Sequence, residues 1–253
     1  MNLFYRLLLI DLLWVVAAGT CVADPPRPNI LICMADDWGW PHASLYGDRV
    51  VQTPTFERIA KAGVVFDHAY ISSPSCTPSR NALLTGQYHW RLEGGANLWS
   101  KFPAQFATYP RILEKHGYHI GSYRKSFGPG KDLPKPVAGK KVKSVAQFFD
   151  KRPKDKPFCF WFGSPDPHRP YKQGSGDASG MKLEDVELPP YFPDTKTVRS
   201  DICDYYFEVQ RFDREVGEIL DRLEKSGELA NTLVVMTGDH GWPFPRGKCN
   251  LYD

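Results

Sequence analysis

Between its flanking Pro157 and Gly163, the stretch Phe158-Cys159-Phe160-Trp161-Phe162 contains no polar residue. Successive side chains of a strand point to opposite faces, so such a run suits a strand buried on both sides, as in a parallel sheet covered by helices. Pro28-Asn29-Ile30-Leu31-Ile32-Cys33-Met34 has the same character, and Val64 to Tyr70, His119 to Tyr123 and Asn231 to Thr237 read as further strands. Helical patterns alternate with them. Thr53-Pro54-Thr55-Phe56-Glu57-Arg58-Ile59-Ala60-Lys61-Ala62-Gly63 offers a capping Thr, a Pro at the first helical position and a terminating Gly. Tyr109 to His116 is a second helix, ended by Gly117. Residues 199–226 carry Ile202, Tyr205, Tyr206, Val209, Phe212, Val216, Ile219, Leu220 and Leu223, the spacing of a long amphipathic helix packed on a sheet. Lys131 to Lys143 is rich in Pro, Gly and Lys and reads as an exposed loop, either a solvated surface or a basic segment that steers an anionic polymer. The expected fold is α/β, a mostly parallel sheet sandwiched by helices.

A length of 253 residues accommodates one large domain of this kind or two small ones. With 42% hydrophobic and 24% charged residues the chain fits neither the disordered nor the membrane-embedded class. A formal net charge of +3 gives no basis for a nucleic-acid partner. Arg6, the apolar run Leu7 to Ala18 and the small residues ending at Ala23 form a secretory leader, so residues 1–23 are expected to be removed and residues 24–253 to form the mature domain. The run is short for a bilayer, so no stable membrane insertion is expected after cleavage. Export to the periplasm, the extracellular space or a lysosome follows, with a lipoprotein-type cleavage before Cys21 as the lesser alternative. The cysteines Cys33, Cys76, Cys159, Cys203 and Cys249 form no CxxC pair, which argues against a zinc knuckle. Cys33 and Cys159 lie in apolar runs and read as core; Cys76 lies in a polar turn and does not.

Polar clusters follow the strand ends. Asp36-Asp37 follows the first strand, Lys125 the strand ending at Tyr123, Asp166-Pro167-His168 the apolar run, and Asp239-His240 and Lys248 the last strand. In an open parallel sheet these ends share one edge, where ligands bind. For both Asp36 and Asp37 to reach one ion the backbone must leave the strand there, a turn that Gly39 would permit; otherwise they are two solvated loop carboxylates. Ser75-Cys76-Thr77-Pro78-Ser79-Arg80 places a reactive side chain at the start of a helix that runs through Leu84-Thr85 and stops at Gly86, with a cation one turn on. Three carboxylates suit a hard cation, Ca²⁺ or Mg²⁺; His240 is a less usual ligand and leaves room for another metal or a role beside it.

Cys76-Thr77-Pro78-Ser79-Arg80 with Leu84-Thr85-Gly86, together with Asp36-Asp37, Lys125, Asp166-Pro167-His168, Asp239-His240-Gly241 and Lys248, resembles the sulfatase family in order and spacing. The stretches Leu188 to Thr195 and Pro243 to Tyr252 look closest to the heparan N-sulfatase (sulfamidase) branch, whereas Asp239-His240 in place of Asp-Asn is more like the iduronate sulfatases. The resemblance implies an alkaline-phosphatase-like domain in which a maturase, the formylglycine-generating enzyme or an equivalent, converts Cys76 to formylglycine. A hydroxyl of the aldehyde hydrate then attacks the sulfur of a sulfated carbohydrate. Asp36, Asp37, Asp239, His240 and the residue-76 side chain would hold one Ca²⁺, or Mg²⁺. Arg80 would orient the hydrate, Lys125 and Lys248 would neutralise the sulfate oxygens, and His168 would serve the leaving group. The sequence departs from the pattern at Lys125-Ser126-Phe127, where many members have Lys-x-His; His42 or His89 would supply that imidazole, or it is absent. It also stops soon after Lys248, as a C-terminally truncated chain would. A phosphoesterase or phosphonate hydrolase of the same superfamily, a non-catalytic glycan-binding protein and an inactive fragment are the alternative functions.

Overall fold

The computed structural model describes residues 27–250; the expected leader, Cys21 included, lies outside them. Five parallel strands, β1 (Asn29–Ala35), β2 (His119–Arg124), β3 (Lys140–Lys141), β4 (Phe158–Gly163) and β5 (Thr232–Gly238), form one sheet in the order β3-β2-β4-β1-β5. The helices are α1 (Pro54–Ala62), α2 (Cys76–Thr85), α3 (Tyr109–Lys115), α4 (Val145–Lys151), the short α5 (Ser175–Ala178) and the long α6 (Lys196–Lys225). This is the α/β architecture expected from the alternation of runs. None of the described helices is long and apolar enough to cross a membrane.

The unbroken apolar runs are explained by two cores, one on each face of the sheet. Leu31, Cys33, Phe158, Phe160 and Phe162 pack with Val209, Phe212, Val216 and Leu220 of α6. The intervening residues Ile32, Met34 and Trp161 pack on the other face with Leu84 of α2, Phe102 and Phe127. Strand period two thus feeds both cores, and burying each large side chain contributes roughly 1.5–3 kcal/mol. At β5 the α2-side face is open: Leu233 and Val235, paired in register with Ile30 and Ile32, are exposed.

Three segments differ from the pattern expected of the sequence. Val64 to Tyr70 forms no strand; it is irregular, and Val64, Phe66 and Tyr70 are exposed, because no described strand pairs with it. The lysine-rich loop is partly structural: Lys140 and Lys141 add to β2 as an edge strand while Val137 and Ala138 are buried. Thr53 makes no capping bond to α1. Asp213, reaching from α6, accepts hydrogen bonds from Thr55 N and Phe56 N, both at 2.9 Å, while the Thr53 hydroxyl is bonded to Ser44. A carboxylate from a neighbouring helix serves the orphan amides and the positive helix end as well as a local side chain would.

Gly163 shows how closely the loops seat on the sheet edge. A Cβ there would lie 1.6 Å from the Lys125 carbonyl oxygen. Gly163→Ala is therefore expected to lower the free energy of unfolding by about 1–3 kcal/mol, read from urea denaturation. Because Lys125 is displaced with its backbone, the loss should exceed that of an Ala substitution at Gly94, which meets nothing within 4 Å.

Candidate active site

β1 ends at Ala35, and the chain turns at Asp37, which has φ 75°, rather than at Gly39. Asp is among the few non-glycine residues that enter the left-handed region readily. The turn breaks the alternation that would have sent the two carboxylates to opposite faces. It is fixed by Asp37 N donating to Asp239 Oδ1 at 3.0 Å and Asp36 N donating to the Asp166 carbonyl at 2.9 Å, which sew together the loops after β1, β4 and β5.

Cys76 is the first residue of α2. Its Sγ lies 3.3 Å from His240 Nε2 and 3.6 Å from Asp36 Oδ1. Single ligating atoms of Asp36, Asp37, Cys76 and His240 all fall within 4.8 Å of one another, and all four residues are buried. His240 Nδ1 is 2.9 Å from the Gly241 carbonyl. A carbonyl only accepts, so Nδ1–H donates to it, while Nε2 lies beside Cys76 Sγ and the Asp37 carboxylate, the latter at 3.2 Å. Asp239 stands behind this group: its Oδ2 accepts from Arg80 Nε at 2.7 Å, and its backbone carbonyl accepts from the Ser79 hydroxyl. Arg80, fully buried one turn along α2, also reaches Asp36 at 3.5 Å and donates to the Lys125 carbonyl at 3.0 Å.

Three acids, Asp36, Asp37 and Asp239, are thus matched by three cations, Arg80, Lys125 and Lys248. Lys125 Nζ bonds Asp36 Oδ2, and Lys248 Nζ bonds both oxygens of Asp37 at 2.9 and 3.0 Å. His168 stands further out, half-exposed, with Nε2 3.9 Å from Asp37 Oδ2. Buried carboxylates with an imidazole nitrogen at this separation fit a hard divalent cation better than a soft one.

The electrostatics separate the roles. Burial, reinforced by Asp239, raises the Asp36 pKa. Burial also acts to raise Asp239, but Arg80 and His240 outweigh it and hold that carboxyl well below its usual range. Burial opposes the charge on Lys248, yet the bond to Asp37 leaves its pKa raised. The Cys76 thiol is pushed up to about 11, by burial first and then by Asp36 and Asp239. At neutral pH it is a thiol rather than a thiolate, so the contact with His240 does not make an activated thiol nucleophile. Material made without a maturase should show this: iodoacetamide at pH 8 is expected to label exposed Cys249 at least about tenfold faster than Cys76, followed by peptide mass mapping. Comparable rates would contradict the buried, protonated thiol.

Several contributors carry no signal in the local sequence. His42 and His89, offered as the absent imidazole, lie elsewhere. His42 is buried against Tyr205 and Trp242, its pKa lowered to about 4 by burial, and His89 sits on a turn beside Trp90. The imidazole facing Cys76 is that of His240. Arg211 of α6, read only as part of a packing helix, holds Asp166 through two bonds of 2.6 Å and so fixes the loop that carries His168. Buried Glu208 joins this group, with its pKa raised to about 7 by burial and then by Asp166.

Comparison with known proteins bears on this geometry. The sulfatase family model matches residues 28–251. N-sulphoglucosamine sulphohydrolase of Homo sapiens is 30% identical over 275 aligned positions, covering 92% of this chain and 54% of the relative. An ulvan-active sulfatase of Formosa agariphila is 29% identical, covering 90% of this chain and 46% of the relative. The chain spans about half the length of these curated relatives. Among solved structures, one bound to its substrate D-glucosamine-2-N,6-O-disulfate has a TM-score of 0.65 at 23% identity, covering 85% of this chain and 66% of that one. The phosphonate monoester hydrolase of Agrobacterium radiobacter has a TM-score of 0.71 at 16% identity, covering 90% of this chain and 66% of that one, a likeness of fold. With the family matched across nearly all the described residues, the chain belongs to the sulfatase family.

Proposed function

We propose that this protein hydrolyses sulfate esters or N-sulfates of sulfated glycans, with Cys76 converted to formylglycine by a maturase. Asp36, Asp37, His240 and the residue-76 side chain, backed by Asp239, would hold one divalent cation, Ca²⁺ in this reading. The observation that carries the proposal is the convergence of buried ligating atoms on residue 76 at a helix N-terminus, flanked by Lys125 and Lys248. When bound, the cation supplies charge for a sulfate oxygen and for lowering a hydroxyl pKa. The chain's own part is positional. Lys125 and Lys248 stand where they can turn from Asp36 and Asp37 to the oxygens of an entering sulfate. Arg80, fixed on Asp239, holds the base of the site. Nε2 of His240 faces the residue-76 side chain, and half-exposed His168, 3.9 Å from Asp37, would serve the leaving group from the solvent side. The leader-like sequence pattern of residues 1–23 would direct export, the compartment depending on the host.

The test is turnover by the full-length, matured protein on aryl sulfates, sulfamates and aryl phosphates. Sulfate release from the first two, exceeding phosphate release by a factor of about 100 or more in kcat/KM, is the expected result. A reversed ratio would place the protein with the phosphate and phosphonate hydrolases that share its fold. Binding of a sulfated oligosaccharide without turnover would mark a non-catalytic glycan-binding protein.

A further inference from the structure

Trp99 stands in the loop between α2 and α3. It is 74% exposed and has φ 62°. A bulky non-glycine residue in the left-handed region is uncommon, and such strain is kept where the surroundings impose it. Here they do. Ser100 N donates to the Asn97 carbonyl at 3.3 Å, Lys131 N to the Ser100 carbonyl at 3.0 Å and Phe102 N to the Lys131 carbonyl at 3.0 Å. Phe102 is buried in the core beside Leu84 of α2. Gly130, at φ 135°, lets the Ser100 carbonyl approach where a Cβ would come within 2.2 Å of it. The same 128–131 segment touches the start of α2: the Thr77 hydroxyl donates to the Pro129 carbonyl at 2.7 Å, one residue past Cys76. A large exposed indole is therefore held, by backbone bonds rather than by its own packing, on a loop tied to the helix that begins with Cys76. Exposed Lys101 and Lys131 pair across the bridge beside it.

We propose that Trp99, with Lys101 and Lys131, forms a sugar subsite for an anionic oligosaccharide whose sulfate enters at residue 76. The indole offers a flat apolar face to a pyranose ring, and the lysines offer charge to a second sulfate or a carboxylate on that ring or its neighbour. The subsite rests on the sulfated-glycan reading above and extends it from the reacting group to the polymer.

The experiment compares the full-length, matured wild type with Trp99→Ala, Trp99→Phe and Lys101→Glu/Lys131→Glu. Each is assayed on a sulfated oligosaccharide and on 4-nitrophenyl sulfate, with affinity for the oligosaccharide measured separately by calorimetry. In Trp99→Ala, the preference for oligosaccharide over aryl sulfate is expected to fall roughly three- to tenfold through KM. Trp99→Phe should retain most of it. The double Lys→Glu variant should lose affinity most at low ionic strength. Hydroxyl-radical footprinting should find Trp99 oxidised in the free protein and protected by the oligosaccharide. Unchanged preference and affinity in Trp99→Ala would overturn the subsite, as would an indole already covered by protein in the free full-length chain. If no sulfate ester or sulfamate is turned over, the functional reading fails on its own, and calorimetry still decides the subsite: weaker binding in Trp99→Ala supports it and equal binding rejects it.

Discussion

Cys76→Ala is expected to lower sulfate release by the full-length, matured protein by about 10⁴–10⁶-fold in kcat, the scale on which loss of a covalent nucleophile acts. The change removes one buried sulfur from the helix start and leaves the backbone of α2 intact, so the urea midpoint should move little. The size of the effect follows from the position of residue 76. Among the described residues it alone faces Asp36 and His240 Nε2 together from a helix N-terminus, and the surrounding charges are arranged about it in matched pairs. Nothing else in the cluster has the chemistry to replace it: Lys125 and Lys248 are held on carboxylates, and His168 stands on the outer side of Asp37. A drop of tenfold or less would mean that the nucleophile lies elsewhere.

Arg80→Leu should cost about 3–5 kcal/mol of stability, because it strands buried acids that a fully buried guanidinium now neutralises. The loss goes beyond charge. The same group donates to the carbonyls of Ala35, Lys125 and Ser126, tying β1 and the segment after β2 to α2. Arg80→Lys keeps the charge but not the fork, so it should recover only part of the loss. The pH dependence has a definite sign. Arg80 helps depress the Asp239 pKa, and a depressed acid stabilises the fold above its unfolded pKa of about 3.9 and loses that contribution as pH falls through and below it. The deficit of Arg80→Leu should therefore be greatest near pH 7 and narrow as the pH drops below about 4. Urea titrations of both proteins at several pH values measure it. A deficit that grew on acidification would contradict the pairing.

Much of this was legible in the sequence because it was local. The runs at β1, β4 and β5 carry their own burial signal, the α6 spacing survives over many turns, and residues placed after strand ends share one edge by topology alone. What was not legible depended on partners distant in the chain. The Asp213 cap on α1 and the Arg211 clamp on Asp166 join segments 157 and 45 residues apart, so no local pattern announces them. The exchange of Gly39 for Asp37 as the turning residue depends on the Asp239 carboxylate that accepts from its amide. Val64 to Tyr70 has strand composition, but a strand needs a partner, and none of the described strands provides one.

The proposed chemistry depends on the identity of residue 76. Mass spectrometry of the tryptic peptide Ala62–Arg80, taken from full-length protein made in a host with a competent maturase, tests it most directly. The prediction is a residue 76 that has lost sulfur and two hydrogens and gained one oxygen, the mass of formylglycine, and that reacts with an aldehyde-specific hydrazide. An intact, alkylatable thiol at Cys76 in protein that still releases sulfate would contradict it.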